Sequence, residues 1–307
     1  IVYTAQGNGG YDNGIYTSVP SLTIKLSPDK LYRFKVTAVN SGGESFASPE
    51  LIAYAASKPA GRVTLIDGFT RVSGPLAVRS ENFAGFLSHL DPGVPGYYDL
   101  SFTGYQYDFT QGSDFITNDR PGHGASATDY EKQVKKGNDF NNLYESALIY
   151  TSLGYSVSSS TEDALNSGIF KTDSYKLIEL VYEKQKTTKL PGRNDHPVKY
   201  SVLRDSVCAR LQAYLTNGGS LILSGEYLGQ DIYNASRTDT LAKKFAADFL
   251  KLRWAASYTL NTNVKPVSGN SLQLSNELSL DVTTGAPFMN LRSADSFYPV
   301  QGSEVLY

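Results

Sequence analysis

The sequence predicts a multidomain chain: an antiparallel β unit over residues 1–57, then an α/β body with a mostly parallel sheet over residues 58–307. Three observations predict it. Before residue 57, apolar residues alternate with polar ones at period two, with no helical spacing. Beyond it, apolar runs of strand length alternate with stretches whose apolar residues recur at helical spacing. Between them, Tyr54-Ala55-Ala56-Ser57-Lys58-Pro59-Ala60-Gly61 is small, polar and proline-containing, and reads as a linker.

In the first unit, Leu22, Ile24 and Leu26 alternate with Thr23 and Lys25, and Tyr32, Phe34, Val36 and Ala38 with Arg33, Lys35 and Thr37. Each pattern makes one buried and one wet face, as antiparallel strands require. Gly7-Asn8-Gly9-Gly10 and Asn40-Ser41-Gly42-Gly43 supply the residues that hairpin turns need.

In the body, Val63-Thr64-Leu65-Ile66-Asp67-Gly68-Phe69 is an apolar run ending in Asp-Gly, the form of a buried parallel strand with a loop at its carboxyl end. Residues 155–160, 177–182 and 218–225 repeat the idea. A helix from Asn141 to Leu153 packs Ala147, Leu148 and Tyr150 around one flank and stops at Gly154. A second, from Ser201 to Thr216, carries Val207, Leu211 and Leu215 as one stripe. Thr238 or Asp239 caps a third, running to about Leu252 with Leu241, Phe245 and Phe249 inward. After Tyr258, short pieces (258–261 and 271–274) suggest an irregular β-rich appendage. Both ends read as cut: Ile1-Val2-Tyr3 opens on strand-like residues, and residues 303–307 stop inside another such run.

Composition narrows the function classes. Lys plus Arg is 28 and Asp plus Glu is 30, a formal charge of −2 that argues against a nucleic-acid-coating protein. No apolar run approaches bilayer length. One cysteine excludes a disulfide framework and a cysteine-built metal cluster. Few charges, one Met and many Tyr, Ser, Thr, Asn and Gly resemble extracytoplasmic bacterial proteins.

Leu26-Ser27-Pro28-Asp29-Lys30-Leu31-Tyr32 matches the L-x-P-x-x-x-Y corner of β-sandwiches, where the Tyr hydroxyl bonds back to the preceding turn. With Ala38-Val39-Asn40 and Gly43-Glu44-Ser45 following, the segment resembles the second half of a fibronectin type III domain. The resemblance implies a partial, N-terminally truncated sandwich acting as spacer or docking surface. The helix–Gly-Gly–strand unit from Leu211 to Gly225 resembles class I glutamine-amidotransferase-like domains, which implies a three-layer, flavodoxin-like fold. That family needs a Cys on a sharp turn after a central strand. Here Glu183-Lys184-Gln185 follows Tyr182, so only the scaffold is carried over.

A broader resemblance spans most of residues 60–300. Gly96-Tyr97-Tyr98-Asp99-Leu100-Ser101-Phe102, Pro121-Gly122-His123-Gly124-Ala125-Ser126, Gly137-Asn138-Asp139-Phe140, Gly154-Tyr155-Ser156-Val157-Ser158-Ser159-Ser160 and Gly225-Glu226-Tyr227-Leu228-Gly229 carry it. They look like a secreted bacterial family whose members bear the names xanthan lyase or N-acetylmuramoyl-L-alanine amidase, with fibronectin type III modules. The resemblance implies an extracytoplasmic polysaccharide-handling protein whose partner is a glycan or peptidoglycan fragment. Xanthan-type lyases are similar to helical toroids, for which this chain has too few helices.

The candidate chemistry is sparse. His89, His123 and His196 show no H-E-x-x-H or H-x-H spacing, so a zinc site would have to assemble from distant loops. His123 sits in a Gly- and Pro-bearing polar loop where Asp119 could orient its ring, against the alternative of a structural turn. Asp67 and Glu226 each follow a strand, where open α/β sheets bind ligands; the competing reading is a loop cap and an ion pair. Asp67, Asp119, His123 and Glu226 are therefore the candidate catalytic residues, and Ser126, Ser224 and Tyr227 the candidate ligand-binding ones. Ser224-Gly225-Glu226 is not a serine-hydrolase elbow. Cys208 falls on an apolar helix face and reads as a buried structural thiol. No glycine pattern supports a nucleotide cofactor, and no cofactor or metal ligand is assigned. Tyr97, Tyr98, Tyr105, Tyr107, Phe109 and Phe115 could stack on sugars or pack in a core. The basic run from Lys184 to Lys189, with Arg193, could face an acidic polysaccharide or only solvent.

Two functions follow as expectations. One is a glycan-handling module without an assignable catalytic activity. The other is an amidase-like hydrolase or a polysaccharide lyase with its site at the carboxyl ends of the parallel strands. The oligomeric state stays open.

Overall fold

Strand β6 (Arg62–Asp67) is buried from Val63 onward, as its uninterrupted apolar run requires. Its neighbours are β9 (Ser156–Thr161) on one side and β10 (Leu177–Val181) on the other, both parallel to it, and β11 (Ser220–Ser224) continues in parallel beyond β10. The computed structural model describes residues 1–44, 47–69, 77–79, 84–86, 143–182, 185, 187, 201–234, 237, 240–258, 263–279 and 294–306.

The parallel strands meet the first 57 residues in one sheet. Strands β1 (Val2–Gln6), β2 (Leu31–Val36) and β5 (Leu51–Tyr54) run antiparallel to one another, and β5 pairs antiparallel with β9. The order is β1-β2-β5-β9-β6-β10-β11, a mixed sheet with helices, so the molecule is α/β in character. Serines explain the junction. Ile52 N donates to Ser159 Oγ at 2.5 Å and Ala56 N to Ser156 Oγ at 3.0 Å, so a strand too polar for a double-sided core ties down its antiparallel neighbour.

The helices lie on both faces. Helix α1 (Leu143–Ser152) packs Leu143, Ala147 and Tyr150 against Val63, Leu65 and Val157. Helices α3 (Asp205–Thr216) and α5 (Leu241–Asp248) pack Val207, Leu211, Ala242 and Phe245 against Ile66, Ile178 and Leu180 on the opposite face, with α2 (Glu162–Ser167) contributing Leu165. Adjacent residues of β6 and β10 thus serve opposite cores, as the pleat dictates. Cys208 lies in the second of these cores, buried.

Gly154 ends α1 with φ +80°, its amide bonded to Thr151 O while Tyr155 N returns to Tyr150 O. Leu148, expected on the packed flank, is exposed, as is Leu241 of α5. Short β3 (Val39–Asn40) and β4 (Gly43–Glu44) form a hairpin on the expected turn, with Ser41-Gly42 at its tip, and β7 (Ala77–Arg79) and β8 (Ala84–Phe86) form another.

Several expectations need correction. Residues 22–26 alternate as a strand does, yet they form no ladder; Leu22, Ile24 and Leu26 instead face Phe34 and Val36 across a groove of about 600 Å³. The Tyr corner does form: Ser27 N donates to Tyr32 Oη at 3.2 Å. Helix α3 begins at Asp205 rather than Ser201, because residues 202–204 are held in a non-helical turn. The third helix ends at Asp248, and Leu252 instead opens strand β12 (Leu252–Tyr258). Residues 271–274 form no strand; β13 (Asn263–Val264), β14 (Leu278–Ser279) and β15 (Ala294–Pro299) build the appendage, with β12 pairing β15 and β13 pairing β14.

The first unit is docked on α1 by Arg33. Its guanidinium bonds Gly7 O, Gly9 O and Glu50 Oε2 at 2.8, 2.6 and 3.0 Å, and lies 5.3 Å from the centroid of the Tyr144 ring. Tyr144 in turn donates to Asn8 Oδ1.

The appendage is anchored by Asp295. Its carboxylate accepts Gly229 N at 2.6 Å and Gln230 N at 3.1 Å at the start of helix α4 (Leu228–Ile232), and Trp254 Nε1 at 2.9 Å and Ser257 Oγ at 2.8 Å on β12. Asp295→Ala is expected to cost about 2 kcal/mol, since bonds to a charged acceptor exceed ordinary ones. Emission of the single tryptophan, Trp254, is expected to shift to the red in the same variant. An unchanged emission and urea midpoint would show that the β12–β15 pair holds without this carboxylate.

Candidate functional site

In open α/β sheets ligands bind beyond the carboxyl ends of the strands, where the strand order reverses. Here β6 leads to β9 on one side, and β9 crosses back to β10 on the other, so the reversal lies between β6 and β10. The register aligns Thr161, Asp67, Val181 and Ser224 as the last residues of four adjacent strands.

Four of the expected residues lie on this edge. Asp67 is buried and its Oδ1 accepts Phe69 N at 2.9 Å, folding the chain back over the end of β6. Ser224 closes β11 with its side chain exposed, while its carbonyl accepts Tyr182 N at 2.8 Å. Glu226 is buried and Tyr227 half-buried in the turn before α4. Asp67 and Glu226 stand two strand spacings apart along the edge, roughly 10 Å between backbones. Asp119, His123 and Ser126 lie outside the described residues. So do His89, His196, the aromatic group from Tyr97 to Phe115, and Lys184, Lys189 and Arg193 of the basic run.

Sequence reasoning missed the group that occupies the reversal point. Tyr182 follows β10 and is fully buried, its ring laid across the end of β6. A Cβ on Gly68 would come within 2.6 Å of that ring, so glycine there is required by the close approach. Gly68→Ala is accordingly expected to cost about 2 kcal/mol through forced repacking of the ring. A urea midpoint within error of the parent would mean that the ring yields easily.

The Tyr182 hydroxyl donates to Glu162 Oε1 at 2.6 Å and accepts Leu203 N at 2.9 Å. Glu162 is 1 % exposed; its other oxygen accepts Arg204 Nη2 at 3.0 Å, and Arg204 also reaches Asp163 at 2.6 Å. Burial pushes the Glu162 carboxyl up to about 7, with Arg204 and the Tyr182 hydroxyl pulling the other way. Burial, with Glu162 beside it, raises the Tyr182 phenol well above its ordinary value. Both members of the pair are sealed from solvent. The signal was present in the sequence: Glu162 directly follows a strand, as Asp67 ends one and Glu226 lies two residues past another, but β9 ends in serines and threonine and drew no attention there.

A second buried carboxylate secures the same region. Asp231 of α4 accepts Thr187 N at 2.7 Å and Val202 N at 2.9 Å and pairs with Arg237 at 3.3 Å. Arg237 also donates to Val202 O at 2.8 Å and Leu203 O at 3.3 Å. Burial raises the Asp231 carboxyl, opposed first by its two backbone donors. Leu203, buried and not glycine, is held at φ +50° between these two groups, a conformation that persists only when its surroundings over-determine it.

Among the described residues no group of three or more His, Cys, Asp or Glu side chains is placed to hold a metal ion, and no helix is long and apolar enough to cross a membrane. Comparison with protein-family models, with curated proteins and with solved structures finds no match for this chain.

Proposed function

We propose that this chain is a binding module of an extracytoplasmic bacterial protein that handles glycans, and that it does not itself cleave them. The observation that carries the reading is the filled reversal point. Tyr182 lies over Gly68 and is bonded to Glu162, so the position where an α/β sheet ordinarily receives its substrate is packed with side chains.

Two features support the finer fold reading. Taken in chain order, the parallel strands stand 2-1-3-4, which is the flavodoxin-like order as far as it runs. The Ser27–Tyr32 bond is the corner that the fibronectin type III resemblance implies. The groove beside Phe34 and the exposed Tyr16 near it offer the kind of apolar and aromatic surface on which sugar faces stack.

The test is a screen of the protein against glycans and peptidoglycan fragments. Retention of a glycan without new reducing ends, unsaturated sugars or free amino groups is the expected result. Release of any such product, or no retention across the panel, would overturn the reading.

A second reading, hydrolase or lyase, is favoured by one observation: three carboxyl groups, on Asp67, Glu162 and Glu226, follow strands along a single edge. Under that reading cleavage is detected in the screen and is lost in Asp67→Asn or Glu226→Gln.

A further inference from the structure

We propose that strand β11 is a self-association surface: two copies of this chain pair their β11 strands antiparallel, about a two-fold axis through Ile222, and so join their two sheets into one. The proposal stands apart from the glycan reading and survives its failure.

The open edge comes first. β11 is the last strand in the sheet order, with β10 on its inner side and, among the described residues, no strand on its outer side. The next strand of the chain, β12, does not fill that place, because it pairs with β15 in a separate sheet. Ser220 N donates to Lys176 O and Tyr182 N to Ser224 O, so the even-numbered residues of β11 bond inward to β10. Leu221 and Leu223 therefore turn their amides and carbonyls outward. Natural edge strands are commonly guarded by a charge, a proline or a bulge. β11 carries none of the three: it reads Ser-Leu-Ile-Leu-Ser and pairs with β10 in unbroken register. Ile222 is 45 % exposed in the middle of it.

A second copy is the occupant that this strand fits. Ser-Leu-Ile-Leu-Ser is the same in both directions. Turned about an axis at Ile222, each residue meets its own kind: Ser220 meets Ser224, Leu221 meets Leu223, and Ile222 meets Ile222. The backbone parity agrees. Leu221 and Leu223 form the hydrogen-bonded pairs, each exchanging both N–H···O bonds, and Ile222 falls on the closer, non-bonded pair between them, where side chains approach most. Leu221 and Leu223 already pack on the core beneath α3 and α5, whereas Ile222 points to the opposite face and serves neither core. Pairing covers each exposed Ile222 with its mate. Charge does not oppose the contact. The row through Ile222 continues in β10 at Glu179, and the two Glu179 carboxylates stand three strand spacings apart, about 14 Å, beyond a Debye length at physiological salt. With five residues a side, the strand contact falls short of the area a permanent dimer buries, so the pair is reversible and forms as concentration rises.

Sedimentation equilibrium from micromolar to millimolar protein reads the association. In the parent the weight-average mass is expected to climb from the monomer towards the dimer. Ile222→Lys is expected to hold the monomer mass throughout, because it sets like charges directly opposite each other at the axis. Its urea midpoint is expected to stay near that of the parent, since the side chain serves neither core. Single cysteines along the strand read the register. Under mild oxidation Ile222→Cys is expected to link into a covalent dimer at least about tenfold faster than Ser220→Cys or Ser224→Cys, because only at the axis do equivalent positions come within disulfide reach. Two residues from the axis, equivalent Cα atoms stand about 14 Å apart. Cys208 is buried and common to all three proteins, so it cancels from the comparison. The cysteine series decides the matter should Ile222→Lys not fold. A parent that stays monomeric at millimolar concentration, a dimer that survives in Ile222→Lys, or equal linking at the three positions would overturn the proposal.

Discussion

Asp231→Ala is expected to destabilise the fold by about 3–5 kcal/mol, the penalty of breaking a buried ion pair from one side. Asp231 and Arg237 are each 2 % exposed at the side chain, so neither charge has water to fall back on. Removing the carboxylate strips two backbone amides, those of Thr187 and Val202, of their acceptor. It also takes from the Arg237 guanidinium its bond to Asp231 Oδ2. The double variant Asp231→Ala with Arg237→Met should recover part of the loss, because it removes the stranded charge as well as its partner. Urea denaturation of the two variants checks both statements. A single variant within about 1 kcal/mol of the parent, well below what a stranded buried charge costs, would show that water reaches Arg237.

The second large effect is a dependence of stability on pH carried by one residue. Glu162 titrates at about 7 in the folded chain against 4.5 when unfolded, so the folded state holds its proton more tightly. The stabilisation is complete below pH 4.5 and is lost as pH rises through 7. Between pH 4 and pH 8 the loss amounts to about 3 kcal/mol. Asp231, raised by burial, acts in the same sense, and two exposed carboxyls act in the opposite one. Asp29, whose carboxylate accepts Ser57 N, and Glu44, which accepts the hydroxyls of Tyr3 and Thr37, are held below their usual range and stabilise as pH rises. The measurement is therefore a difference, parent minus Glu162→Gln, taken by denaturation across that range. A difference that does not move with pH would mean that Glu162 is hydrated in the native state.

The two effects share a location. Glu162 and Asp231 both act on residues 202–204, one through Arg204 and the Tyr182 hydroxyl, the other through Val202 N and Arg237. The carboxyl edge of the sheet is thus secured by buried polar groups as well as by the apolar packing of Val202 and Leu203. Helix α3 starts four residues later than its apolar pattern suggests because Leu203 is held at φ +50°, outside the helical region.

Part of the candidate site was legible from the chain alone. Asp67 and Glu226 follow strands that announce themselves by composition, and both do stand on the carboxyl edge. Tyr182 was visible only as the end of an apolar run, and nothing local marks it as the residue that covers Gly68. Glu162 and Arg204 are 42 positions apart, and neither has a neighbour in sequence that hints at the other.

Strand and helix identity could be read from the sequence because periodicity and turn residues are local: β6, β10 and β11, the hairpin at Asn40 to Gly43 and the glycine stop after α1 all follow from windows of a few residues. Strand neighbours could not. Residues 22–26 carry a strand's pattern without a partner, while β5 finds one in β9 through serine hydroxyls about a hundred residues away. Which side chains become buried together, and so which carboxyl group holds its proton near neutrality, depends on contacts between distant parts of the chain. Only the assembled sheet brings those parts within hydrogen-bonding reach.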